Sequence, residues 1–157
     1  MISSPLQLKD CFFTKVYVEP KWGEFDAASI YPLQTRLNFR KNDKDETTVT
    51  LGIRKGAEAK DTKETYFFEL EIVGIFEVDE DVVKRRKMDA DKVIKINAPS
   101  LLYGSARELL CGLTSRGILP MYLLPSMSFV DMGEAPESHK KREMKPAGSD
   151  EVKGSKK

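Results

Sequence analysis

An α+β domain, a four-stranded antiparallel sheet followed by a helix, is the fold class this sequence predicts. Three observations carry it. Apolar and polar residues alternate at a period of two in four runs before Asp79, polar stretches separate the runs, and after Pro99 the apolar period becomes helical.

In the first run Phe12, Thr14, Val16 and Val18 alternate with Cys11, Phe13, Lys15, Tyr17 and Glu19, giving a strand with one apolar face. Leu33, Thr35, Leu37 and Phe39 alternate with Gln34, Arg36, Asn38 and Arg40 in the second. The charged stretch from Lys41 to Glu46, with Asn42 and Asp43, suits a hairpin loop. Val49, Leu51 and Ile53 mark the third strand, and a polar stretch from Gly56 to Lys63 follows it. The fourth is the longest, with Tyr66, Phe68, Leu70, Ile72, Gly74, Phe76 and Val78 on one face, and Glu69 and Glu71 together on the other. Short loops favour antiparallel neighbours, so strands two to four form a meander.

From Asp79 to Lys95 the chain is highly charged and reads as a crossover with a helical turn. Ser100 after Pro99 suits a helix N-cap, Leu102, Ala106, Leu109, Leu110 and Leu113 recur at helical spacing, and Gly117 suits a left-handed stop. Gly104 and Gly112 inside that helix suggest close approach of another backbone and an assembly surface. From Ile118 to Met132 the chain is strongly apolar, but Pro120 and Pro125 exclude a continuous helix. The reading divides the chain into a folded domain, 1–132, and a disordered polar tail, 133–157, too poor in large apolar side chains to offset the entropy of ordering.

The chain has 157 residues, 40% hydrophobic and 32% charged, with a net charge of +1, so neither nucleic acid nor an anionic membrane is an expected partner. No apolar run is long enough to insert in a membrane, the first residues lack a signal-peptide pattern, and a cytoplasmic location is expected. Cys11 and Cys111 read as small buried apolar groups, and the single histidine, His139, has no neighbours at metal-ligand spacing. No metal, cofactor or catalytic residue is expected: there is no phosphate or dinucleotide fingerprint and no nucleophile–histidine arrangement.

The second half resembles the SecB export chaperones. Leu102, Tyr103, Gly104, Ser105, Ala106, Arg107 and Glu108 are similar to the family's Leu-Phe-Pro-Tyr-Ala-Arg-Glu, and Ser115, Arg116, Gly117, Ile118, Leu119 and Pro120 to its Ser-Arg-Gly-Thr-Phe-Pro. Gly74, Ile75 and Phe76 match the end of its last strand. Gly104 replaces a frequent proline, Pro125 sits one place early, and little remains after Phe129 for the family's second helix.

The resemblance implies a SecB-like sheet with a long helix packed on one face, and a homotetramer built as a dimer of dimers. It implies no enzyme but an ATP-independent holding chaperone that keeps unfolded preproteins competent for export and delivers them to SecA. Client binding is expected at Phe68, Phe76, Leu119, Tyr122, Leu124, Met127 and Phe129, and partner docking at Glu19, Glu69 and Glu71. Two other readings stay open: a dedicated chaperone of a toxin–antitoxin system with the antitoxin as client, and an interaction scaffold without chaperone activity.

Overall fold

The computed structural model describes residues 4–20, 33–42, 46–55, 66–117 and 119–133. The polar tail expected from residue 133 falls, apart from Gly133 itself, outside the described residues.

Four strands, β1 (Leu6–Pro20), β2 (Gln34–Lys41), β3 (Thr47–Lys55) and β4 (Tyr66–Val78), form one antiparallel sheet in the order β1-β4-β3-β2. The expected meander of strands two to four is present, and β1 closes onto the free side of β4. Both neighbours of β4 are strands, and its inward row of Tyr66, Phe68, Leu70, Ile72 and Phe76 is buried. Val49, Leu51 and Ile53 of β3 extend that layer. Each such side chain removed from water contributes roughly 1.5–3 kcal/mol before entropy is subtracted.

Simple alternation in β1 is broken by two register shifts, between Leu8 and Asp10 and between Phe13 and Lys15. The register makes Phe13 the partner of Ile72, while Val16 and Val18 pair with Leu70 and Phe68. Phe12, expected on the same face as Val16 and Val18, therefore lies on the opposite face, because the extra residue at each bulge reverses the side-chain order beyond it.

After β4, Asp79 caps a short helix, α1 (Glu80–Arg86), accepting from the Val82 amide at 3.0 Å. A second helix, α2 (Ala90–Thr114), packs against β4, β3 and β1. It begins well before the expected Ser100. Asp89 is the cap, with Oδ1 accepting from the amides of Asp91 at 2.9 Å and Lys92 at 3.4 Å. Pro99 lies inside the helix, where it removes one amide donor; its ring is fully buried, and that packing offsets part of the loss. Ser100 is an interior residue whose Oγ donates to the Ile96 carbonyl at 2.7 Å.

The helix ends at Ser115 in right-handed geometry, so Gly117 is not the left-handed stop the sequence suggests. Glycine is needed there for space, since a Cβ would lie 2.7 Å from the Tyr66 hydroxyl. The same holds at Gly74, where a Cβ would lie 2.6 Å from the Phe76 ring and 2.7 Å from Leu102 Cδ2, letting α2 press onto β4. At Gly104 and Gly112 a Cβ would meet nothing within 4 Å, so none of the described residues packs against these two positions. The chain then turns back along α2 without regular structure and closes in a single 3-10 turn, Val130–Gly133, where the family's second helix would begin.

Candidate functional site

The returning segment, 119–133, lies along α2. Thr114 holds its start: Oγ1 accepts from the Tyr122 amide at 3.0 Å and donates to the Leu110 carbonyl at 2.8 Å. Lys55 Nζ donates to the Tyr122 hydroxyl at 3.2 Å and stands 4.4 Å from the centre of its ring. Further along, the Tyr103 hydroxyl donates to the Pro125 carbonyl at 2.6 Å, and the Tyr103 and Phe129 rings meet edge to face with centres 5.9 Å apart. Burial raises the pKa of the Tyr103 phenol, with the Tyr122 phenol adding in the same direction. Pro120 and Pro125 keep the path extended, since neither offers an amide to a helix.

An extended segment this rich in large apolar side chains must place some of them outside. Leu124 (0% exposed), Phe129 (4%) and Leu119 (8%) point inward, joining Phe68 and Phe76 in the core, while Tyr122 is half-buried over Phe68 with ring centres 5.3 Å apart. The outward row is Met121 (54%), Leu123 (49%), Met127 (36%) and Val130 (54%). Of the seven client residues expected from the sequence, Phe68, Phe76, Leu119, Leu124 and Phe129 are therefore sealed inside this chain. They serve as its packing, because a side chain with no accessible surface has none to give a ligand. Met127 and part of Tyr122 are accessible. Met121 and Leu123 complete the row, and composition did not separate them from their buried neighbours. Cys111 Sγ lies 3.3 Å from Met121 Sδ, fixing this row next to α2.

On the sheet's outer face, Glu69 and Glu71 project together as expected, but each has a basic neighbour. Lys15 Nζ stands 2.6 Å from Glu69 Oε2, and Arg36 lies 3.5 Å from Glu71 Oε2. The Lys15 hydrogen bond, with the charges of Lys15, Arg54 and Arg36, holds the Glu69 carboxyl below the usual range. Glu71 also accepts from the Thr14 hydroxyl at 2.6 Å. Glu19 accepts from the Tyr17 hydroxyl, which raises the Tyr17 pKa. Phe12 and Tyr17 are exposed on this face. On the outer side of α2, Leu101 is exposed near the open positions Gly104 and Gly112, whereas the exposed Leu113 faces β1 beside Val16 and Val18.

No group of three or more His, Cys, Asp or Glu among the described residues forms a metal site, and no described helix is long and apolar enough to cross a membrane. A sheet covered on one face by a long helix, with an exposed apolar row beside that helix, has the features of a binding protein. Residues 6–139 match the family described as "Preprotein translocase subunit SecB", and the chain belongs to that family. That family is one of chaperones and not of enzymes.

The solved structure of the Mycobacterium tuberculosis SecB-like chaperone Rv1957, in complex with a ChAD peptide from the HigA1 antitoxin Rv1956, is similar in fold. The TM-score is 0.57 at 16% identity, over 79% of this chain and 91% of that one. The protein MJ0357 of Methanocaldococcus jannaschii is 23% identical over 100 residues, 64% of this chain. The match spans 62% of that relative's length.

Proposed function

We propose that the chain is an ATP-independent holding chaperone acting in the cytoplasm, and that the outward row of Met121, Leu123 and Met127, with the accessible part of Tyr122, is where an unfolded client lies. The single observation that carries this is the exposure of that row on an extended segment whose alternate side chains are locked into the core. Exposed apolar surface of this kind on a folded chain marks binding, and methionine adapts to varied partners. Leu119, Leu124 and Phe129, with Phe68 and Phe76 beneath them, support the row.

Weak contacts with a disordered client gain from several rows on one assembly. Pairing of α2 helices through Leu101, Gly104 and Gly112 is the proposed route to a homotetramer, because glycine lets helix backbones approach closely. Delivery of preproteins to SecA would use Glu19, Glu69 and Glu71. A basic partner must displace Lys15 and Arg36 to reach two of them, so docking there is weak and salt-sensitive. That internal pairing favours a second reading, a chaperone dedicated to one client such as an antitoxin, which the peptide bound by the mycobacterial chaperone also supports.

The test is aggregation of a chemically unfolded model protein, with native mass measured in parallel. The wild-type chain should suppress aggregation near one client per assembly. Changing Met121, Leu123 and Met127 together to serine should abolish suppression while the native mass is kept. Full suppression by the triple variant would refute the assignment of the row, and no suppression by the wild type at large excess would favour a scaffold.

A further inference from the structure

Arg107 belongs to the Ala-Arg-Glu stretch and has no part in the function argued so far. It lies on α2 one turn after Tyr103 and one turn before Cys111. Those two flanking residues both touch the returning segment, Tyr103 at the Pro125 carbonyl and Cys111 at the Met121 sulfur. The stretch of segment passing Arg107 therefore runs from Met121 to Pro125 and includes the exposed Leu123. Arg107 is half-buried, and among the described residues it makes no hydrogen bond or ion pair.

A guanidinium carries five donors in a fixed fork and cannot lose its charge, so it is suited to one kind of acceptor, a carboxylate held by two parallel bonds. Partial burial strengthens such a bond relative to open water. Lys15 and Arg36, by contrast, already have carboxylates of their own.

We infer that Arg107 is the polar anchor of the client row, and that the segments this chaperone holds best are extended apolar stretches carrying a carboxylate beside the residues that cover Leu123. The inference rests on the row assigned above. It names the chemistry of the preferred client: apolar contacts to Met121, Leu123 and Met127, and one charged acceptor for Arg107. A glutamate or aspartate side chain and a free C-terminus offer the same group.

The probes are fluorescent extended peptides rich in leucine and phenylalanine, in two matched pairs: an internal glutamate against glutamine, and a C-terminal acid against its amide. Affinity is read by anisotropy on the full chain, with native mass checked for each variant. The wild type should bind the acid member of at least one pair about tenfold tighter. The pair that shows the preference identifies the source of the carboxylate. The preference should shrink with added salt, vanish in Arg107→Gln and return in part in Arg107→Lys, which restores charge without the fork.

Equal binding of acid and neutral twins by the wild type overturns the inference and leaves the row standing. Failure of all peptides to bind overturns both. An Arg107→Gln chain that falls to a smaller native mass also overturns it, by locating the acceptor in a second copy of the chain.

Discussion

β4 and the segment 119–133 are both extended, both rich in large apolar side chains, and both contribute to one core, yet they are held in opposite ways. β4 has a strand on each side, so its backbone is committed to β1 and β3. Among the described residues the returning segment pairs with no strand and is fixed by side chains instead: Thr114 at Tyr122, Tyr103 at Pro125, and Leu124 and Phe129 in the core. Its outward row is left to solvent. The difference shows how one chain can keep a stable sheet and still present an apolar surface, by placing that surface on an element anchored from one side only.

The largest expected effect separates the two sides of the segment itself. Leu124→Ala should cost about 2–5 kcal/mol in denaturant unfolding, whereas Leu123→Ala one residue away should stay within about 0.5 kcal/mol. Equal effects would erase the distinction between inward and outward rows. Next, Gly74→Val in β4 should cost about 1–3 kcal/mol, since its Cβ collides with Phe76 and Leu102. The loss should be global, with amide exchange rising across the sheet.

Thr114→Val should cost about 1–2 kcal/mol by leaving the Tyr122 amide without its acceptor. Here exchange should rise in the segment before it rises in β4. A variant that loosened both together would show that the segment is as firmly built as a strand.

Alkali should act more gently, at the segment's other anchor, Tyr103. The Tyr103 phenol has a raised pKa in the folded chain, so the folded state keeps its proton where the unfolded state, ionising near pH ~10, has lost it. This contribution is full below the unfolded pKa and declines as pH rises through the folded one. Stability against pH, compared with Tyr103→Phe, should show a steeper alkaline fall in the wild type. The smallest effect belongs to the outer face. Lys15→Ala should return the Glu69 carboxyl toward its ordinary range in an NMR titration without a measurable change in unfolding midpoint, as exposed ion pairs contribute little.

The strands were readable in the sequence because alternation reports a sheet with one buried face, and β3 and β4 keep strict alternation throughout. β1 was readable as a strand but not in its facing, because a bulge inserts a residue without altering composition and reverses Phe12 relative to Val16. The start of α2 was hidden by Pro99, a residue that normally ends helices, while the cap that begins the helix, Asp89, lies in a stretch too charged to show an apolar period. Glu69 and Glu71 were placed together on the correct face, but their basic neighbours come from other strands and needed the register. In the returning segment every candidate was apolar, so nothing in residue type told Leu123 from Leu124. Only the anchors at Thr114 and Tyr103, which set the path of the chain, decide which side chains turn outward.

Methionine methyl NMR with a saturating unfolded client tests that division most directly. Met121 and Met127 lie in the outward row, while Met88, also exposed, lies in the turn between α1 and α2 and reports nonspecific contact. The expected result is shifted or broadened methyl signals from Met121 and Met127 with Met88 unchanged. A client that perturbs Met88 alone, or leaves both row methionines untouched while it is bound, would contradict the claim that this segment holds it.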